Sequence, residues 1–239
     1  MFLAYFKRGL LAGGVTGLAY GLFMATVANP LVGYLEHAQH GHSHAGETGS
    51  VVAESTTAIV SIGSGLLWAI LLGGCFGLAL YFLEPALPGR ATARRLVLAA
   101  SGFLTVSVTP WLVLPPFAPG AEQVVGIDTR FAIYAGLVVL GAALAAGSVR
   151  IYNRLKSRGR GLAVAGGALP VVAAMLVLPA MSPTLVRHPE LSADLVAAYR
   201  AMVVLSQGSI WLLIAATFGW LQRRNGFEST VSDTSQATT

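Results

Sequence analysis

The chain has 239 residues, of which 55% are hydrophobic and only 10% are charged, and its mean hydropathy is +0.70. A soluble domain has about 25% charged residues, so this composition excludes a water-soluble protein and indicates an integral membrane protein. The net charge of +5 is spread over short segments between apolar stretches, a distribution that is typical of membrane topology signals and argues against nucleic-acid binding.

The first apolar stretch, at about 10–34, predicts a transmembrane helix. Lys7 and Arg8 precede it, as basic residues precede the core of a signal peptide. The stretch has roughly 25 residues, which is longer than a signal-peptide core, so we expect a helix that is retained. Three glycines spaced four residues apart share one face of this helix and allow another helix to approach closely: Gly13, Gly17 and Gly21.

Asn29 and Pro30 interrupt the second half of the first stretch. Proline deprives a helical carbonyl of its donor, and the amide of Asn29 beside it can bind a neighbouring group or an ion. The alternative is a structural kink whose polar groups are satisfied internally. Because charges are almost absent from the apolar stretches, small polar side chains are the other candidates for an ion path: Ser61 and Ser64 in the second stretch, Gln207 and Ser209 in the sixth.

The segment after the first stretch, 35–57, contains four of the five histidines of the chain. Neutral imidazole binds cobalt, nickel, zinc and copper, and a carboxylate can complete such a site, whereas magnesium and calcium prefer sites made of oxygen alone. The alternative is a mobile polar loop that binds metal weakly or responds to pH. We predict a metal-capture loop with these ligands: His37, His40, His42 and His44, assisted by Glu36 or Glu47.

Five further apolar stretches predict helices at about 58–83, 96–116, 131–149, 162–181 and 201–221. The predicted fold class is therefore an all-α integral membrane protein, a bundle of six transmembrane helices. Several prolines, beginning with Pro110 and Pro115, cross the end of the third stretch, so we expect the chain to leave the membrane there in extended form. The polar residues 223–239 lack apolar periodicity and predict a disordered cytoplasmic tail.

The connecting segments predict the orientation. Twelve of the fifteen basic residues lie on the same side as both termini, and the other side carries Arg130, Arg187 and Arg200. Positive charge is retained in the cytoplasm, so we predict a multi-pass protein of the cell membrane with both termini inside. The histidine segment then faces outward, together with 117–130 and 182–200, and His188 in the last segment fits an ordinary loop residue.

Four sequence features occur together in this chain. They are the opening "FKRGLLAGGVTGLAYGLF", the histidine segment, the proline-rich "LPPFAPG" with Arg130 ten residues further on, and the closing "YRAMVVLSQGSIWLLIAATFGWL". Over residues 1–222 this combination resembles the CbtA family, a predicted cobalt transporter subunit. The resemblance implies cobalt uptake linked to cobalamin synthesis, and a small histidine-containing membrane partner of the CbtB type.

We therefore predict a membrane subunit for uptake of a divalent transition metal, with cobalt favoured and nickel or zinc as alternatives. The sequence contains no P-loop and no H-E-x-x-H motif, so we expect neither an enzyme nor an organic cofactor. A function of a different class stays open, namely a non-transporting metal-sensing or assembly protein of the lipid bilayer. In that protein the loop would act as receptor and the bundle as anchor.

Overall fold

The computed structural model of the chain describes residues 2–39, 50–117, 122–123, 125–182, 186–187 and 192–236. Side-chain positions are defined over these ranges except at 36–39, 50–55, 57, 122–123, 186–187 and 225–236. The described backbone is helical apart from short connections and one pair of two-residue strands.

Six helices in the described part of the chain are long and apolar enough to cross a membrane, which confirms the predicted number of spans. Numbered in chain order, the spans are Phe2–Leu35, Ala58–Leu83, Ala91–Trp111, Ile127–Leu155, Arg160–Met181 and Ala193–Arg224. The helices that contain them are Phe2–Phe23 and Asn29–Gln39, Ser50–Leu83, Ala91–Phe103 and Thr109–Trp111, Ile127–Leu155, Arg160–Met181, and Ala193–Gln236. Most of them extend past the predicted stretches, because a polar residue at the membrane surface ends the apolar pattern without ending the helix.

Four spans pack together and the other two extend from them. The first span lies against the second and the sixth, the sixth lies against the third, and the second also contacts the third and the sixth. The fourth span packs on the third, and the fifth packs on the fourth. The main apolar core lies where the first, second, third and sixth spans meet, around Phe76, Trp211 and Phe218. Only 6% of the most apolar part of the fifth span is buried within the protein, so most of this span faces lipid or another partner.

The predicted glycine face of the first span packs directly against the second span. A Cβ atom at Gly17 would lie 2.8 Å from the Cα of Leu66, and a Cβ atom at Gly13 would overlap the backbone of Ala69. The stripe extends one step beyond the prediction, because Gly9 meets Gly73 in the same way. Small residues let the two backbones approach, and dispersion contacts between them replace contacts with lipid.

Two spans contain a π-helical turn immediately before an X-Pro pair. The turn Met24–Ala28 precedes Asn29 and Pro30 in the first span, and the turn Leu104–Val108 precedes Thr109 and Pro110 in the third. Proline removes one helical hydrogen bond, and its ring clashes with the carbonyl four residues earlier. The wider turn accommodates that carbonyl, so the helix continues through both prolines. The helix of the third span ends at Trp111, before the predicted bound at 116. The chain does not become extended there directly, because Val113 and Leu114 donate to the Pro110 carbonyl in a turn.

Two features lie outside the predicted pattern. Glu122–Gln123 and Val186–Arg187 form a two-residue antiparallel ladder between the segments that precede the fourth and sixth spans. The last helix continues to Gln236, through most of the segment for which the sequence predicts a disordered tail. Extending an existing helix costs far less than nucleating a new one, and this segment contains no proline.

Candidate metal path and its surroundings

The predicted capture loop is described only at its edges. His37 lies on the helix Asn29–Gln39, and its side chain, like that of Glu36, falls outside the defined positions. Within the described residues no group of three or more histidine, cysteine, aspartate or glutamate side chains is placed to hold a metal ion. The ligand set therefore stays a prediction, since four of its members lie outside the described ranges: His40, His42, His44 and Glu47. His188, predicted to be an ordinary loop residue, also lies outside them.

Asn29 and Ser61, two of the residues predicted to line an ion path, lie in contact. The Asn29 Nδ2 atom is 3.1 Å from the Ser61 hydroxyl oxygen, and that hydroxyl lies 3.2 Å from Asn29 Oδ1. Both side chains are half-buried between the first and second spans. An amide oxygen and a hydroxyl oxygen thus lie together. Both can coordinate a metal ion or accept a hydrogen bond from its bound water. Asn29 is seven residues from Glu36, which is about 10 Å along a helix.

A backbone carbonyl of the first span provides a further oxygen near Asn29 and Ser61. Pro30 has no N–H, so the carbonyl four residues before it, that of Thr26, loses its helical donor. The Thr26 hydroxyl donates to the carbonyl of Leu22 at 2.8 Å, and no described side chain donates to the carbonyl of Thr26. The first span therefore presents a carbonyl oxygen near an amide and a hydroxyl, in a stretch that is otherwise apolar.

Ser64 lies one turn deeper in the second span than Ser61. Its hydroxyl donates to the Ser61 carbonyl at 3.2 Å, and its side chain is exposed on the surface of the bundle. Ser61 is half-buried and faces the first span, whereas Ser64 faces away from that contact. Asn29 and Ser61 thus form a polar contact between the two spans, and the Ser64 side chain takes no part in it.

Gln207 and Ser209 form a separate polar region between the first and sixth spans. The Gln207 amide lies 3.5 Å from the hydroxyl of Tyr20, a weak contact by distance. Ser209 is exposed, and its hydroxyl donates to the Leu205 carbonyl at 2.8 Å. Tyr20 and Ser209 line a cavity of about 500 Å³. The six predicted residues therefore do not form one continuous lining.

Tyr20 is a polar residue that the sequence interpretation missed. It lies nine residues before Asn29, which is about 13 Å along a helix, so the two polar contacts occupy different depths of the first span. A tyrosine within an apolar stretch carries a hydroxyl that needs a partner, and that was the available signal. In the structure this partner is Gln207 of the sixth span.

The opposite end of the bundle holds a second polar cluster that the sequence interpretation missed. The Tyr5 hydroxyl donates to Glu84 Oε2 at 2.8 Å, and Arg94 pairs with Glu84 Oε1 at 3.4 Å. Arg95 is 6% exposed, and it donates to Gln222 Oε1 at 2.9 Å. These contacts connect the first, second, third and sixth spans. The sequence signal was Glu84, the only acidic residue in the basic segments before the tail.

The third span has the same π-helical turn before an X-Pro pair as the first span, but its neighbouring side chains differ. The Tyr134 hydroxyl of the fourth span donates to the Val106 carbonyl at 3.1 Å, and Val106 lies four residues before Pro110. Thr109 is fully buried, and its hydroxyl has no hydrogen-bond partner within the described residues. The carbonyl four residues before Pro110 is therefore bonded to protein. Among the described residues, no hydrogen-bonded side-chain pair like that of Asn29 and Ser61 lies beside it.

The family model for CbtA, whose description is "Probable cobalt transporter subunit", matches residues 2–223. The chain belongs to the CbtA family. The match extends over all six spans, as the sequence resemblance implies, and the six apolar helices make this CbtA protein a multi-pass membrane protein. No curated protein and no solved structure matches the chain.

Proposed function

We propose that this CbtA protein is the membrane subunit of a system that takes up a divalent transition metal, with cobalt as the favoured ion. Its description as a transporter subunit belongs to the family. The observation in this chain that carries the proposal is the contact of Asn29 with Ser61. Asn29 lies seven residues before Glu36, and Ser61 follows the end of the histidine segment by four residues. Membership of a transporter family and the absence of a P-loop from the sequence support a role other than catalysis.

The histidine segment is the capture site in this proposal. His37, His40, His42 and His44, with Glu36 or Glu47, bind the hydrated ion on the outer side and exchange part of its water for imidazole nitrogen. The segment joins the first and second spans, which pack against each other along their glycine stripe. A captured ion is thereby held near the contact between these two spans.

The ion then meets oxygen atoms of the first and second spans. The Asn29 amide, the Ser61 hydroxyl and the carbonyl freed by Pro30 replace part of the hydration shell, since a bare ion in hydrocarbon is strongly disfavoured. Oxygen ligands bind cobalt more weakly than imidazoles do. Release from the loop is consequently followed by a weaker site, from which the ion can leave again.

Orientation and assembly complete the proposal. Both termini lie in the cytoplasm, because the basic residues concentrate at that end of the bundle. A small histidine-containing membrane subunit of the CbtB type is the proposed partner, and cobalamin synthesis is the proposed destination of cobalt. Both of these expectations rest on the family.

Accumulation of radioactive cobalt in cells with and without the gene tests the function. At limiting cobalt we expect deletion to reduce accumulation at least about tenfold, because the loop captures at low concentration. Competition by excess nickel or zinc then ranks the ions. Unchanged accumulation of all three metals would contradict transport and favour the alternative of a metal-sensing or assembly protein that anchors the loop.

A further inference from the structure

A long groove lies between the third and fifth spans, and the fourth span forms its floor. Its volume is about 1,210 Å³, which exceeds the roughly 300–1,000 Å³ of a typical small-molecule site. The groove exists because the fifth span packs mainly against the fourth and does not close onto the third. Its walls are mainly apolar, with the hydroxyls of Ser101 and Ser148 among them, and they include Leu96, Ala100, Leu104, Val164, Val171 and Met175.

One end of this groove is basic. Arg90 and Arg160 line it where the third and fifth spans begin, together with Thr92 and Tyr152. Both arginine side chains are exposed, and no aspartate or glutamate lines any part of the groove. The groove thus has a positively charged end at the membrane surface and apolar walls toward the interior. The charged end complements the negative phosphate of a phospholipid, and the apolar walls complement its acyl chains.

The length of the groove matches one leaflet. Its wall on the fifth span runs from Arg160 to Met175, fifteen residues or about 22 Å at 1.5 Å per residue. One leaflet with its headgroup region is about 20–22 Å thick, whereas a transmembrane helix needs an apolar contact about 30 Å long. The groove is therefore too short for a complete helix and long enough for a lipid.

We propose that this groove binds one anionic phospholipid, with the phosphate at Arg90 and Arg160 and the acyl chains along the third and fifth spans. A guanidinium donates two parallel hydrogen bonds to phosphate oxygens, and basic pockets between transmembrane helices select anionic headgroups. The acyl chains fill the gap between the third and fifth spans. They give the fifth span dispersion contacts that an unfilled gap would not provide. This proposal is independent of metal uptake.

Native mass spectrometry of the purified full chain tests the proposal with added dioleoyl phosphatidylglycerol or dioleoyl phosphatidylcholine. We expect one phosphatidylglycerol to be retained in preference to phosphatidylcholine. Replacing both arginines (Arg90→Gln with Arg160→Gln) should weaken retention at least about tenfold, because each juxtamembrane arginine contributes about fivefold. The matched control is Arg150→Gln with Arg158→Gln, which removes the same charge from exposed residues outside the groove.

Two further measurements separate a lipid from other occupants. Ala100→Trp fills the apolar part and keeps both arginines, so it should also abolish retention if the acyl chains bind there. Glycerol phosphate, which has the headgroup charge but no acyl chains, should not compete. The proposal is overturned if the control pair loses the lipid equally, if glycerol phosphate competes fully, or if Ala100→Trp leaves lipid retention unchanged.

Discussion

The first and third spans share a local backbone feature, but different side chains surround it. Each has a π-helical turn before an X-Pro pair, at Asn29-Pro30 and at Thr109-Pro110. In the third span, Tyr134 donates to the carbonyl of Val106. In the first span no described side chain donates to the corresponding carbonyl, and the Asn29–Ser61 pair lies beside it. An X-Pro break in a span is therefore not a site by itself, because neighbouring helices determine whether its oxygens are occupied or available.

The largest expected effect is in a labelling experiment that tests the orientation of the protein. It determines on which side of the membrane the two X-Pro pairs lie. With Cys75 replaced, a cysteine at Ser43 should react with an impermeant maleimide added outside intact cells, and a cysteine at Ser157 should react only after permeabilisation. The reason is the concentration of basic residues at the end that contains Ser157. The measurement is the labelled fraction of each variant. The reverse pattern would place both X-Pro pairs near the cytoplasm and contradict the direction of uptake.

The second effect is on transport through the first span. Asn29→Leu keeps a similar volume but removes the amide from its contact with Ser61, so cobalt uptake should fall at least about fivefold, since an unreplaced polar partner costs about 1–3 kcal/mol. Radiometal uptake at equal membrane abundance measures it. The matched control is Thr109→Val at the equivalent position of the third span, which should transport normally. Normal uptake by Asn29→Leu combined with failure of Pro30→Ala would instead make the pair a structural kink.

The third effect is on capture, which precedes passage along the first span. Replacement of His37, His40, His42 and His44 by alanine should raise the cobalt concentration for half-maximal uptake severalfold and leave the maximal rate closer to wild type. Lowering the external pH to about 6 should weaken capture by the wild type, because protonated imidazole does not bind metal. The alanine variant should lose this pH dependence. Equal uptake by wild type and variant at limiting cobalt would contradict capture by the loop.

The fourth effect is on stability, and it concerns the bonded carbonyl of the third span. Tyr134→Phe removes the donor to Val106 and should lower the free energy of unfolding by about 1 kcal/mol, without changing uptake. Thermal unfolding in detergent measures the change. Tyr81→Phe is the control, since the Tyr81 hydroxyl makes no hydrogen bond within the described residues. A loss of uptake by stable Tyr134→Phe would show that the third span also takes part in passage.

The smallest effect should come from Thr109→Val. The Thr109 hydroxyl is fully buried without a described partner, and burial of an unpaired hydroxyl costs about 1–3 kcal/mol. Valine has nearly the same shape, so the free energy of unfolding should stay unchanged or rise by up to about 1 kcal/mol. Equilibrium unfolding of the purified variant measures this. A clear destabilisation would reveal a hydrogen bond that Thr109 makes in the membrane.

Local sequence determined the number of spans, the glycine stripe and the break at Asn29-Pro30. These features depend on residues close together in the chain, namely apolar length, the four-residue spacing of Gly13, Gly17 and Gly21, and the missing N–H of proline. Hydrophobicity is a weaker guide to helix ends, because helical hydrogen bonds continue into polar residues. For that reason the predicted second span, 58–83, coincides with the observed span Ala58–Leu83, whereas the helix that contains it begins earlier, at Ser50.

Tertiary structure alone decided which polar groups meet. Asn29 finds Ser61 across 32 residues, Tyr20 finds Gln207 across 187, and Arg95 finds Gln222 across 127. Nothing in the sequence fixes this arrangement of spans, which separates Gln207 from Asn29 and leaves the groove beside the fifth span. The physical reason is that lipid solvates every apolar face equally well, so the choice of neighbour depends on small differences in packing and hydrogen bonding between complete helices.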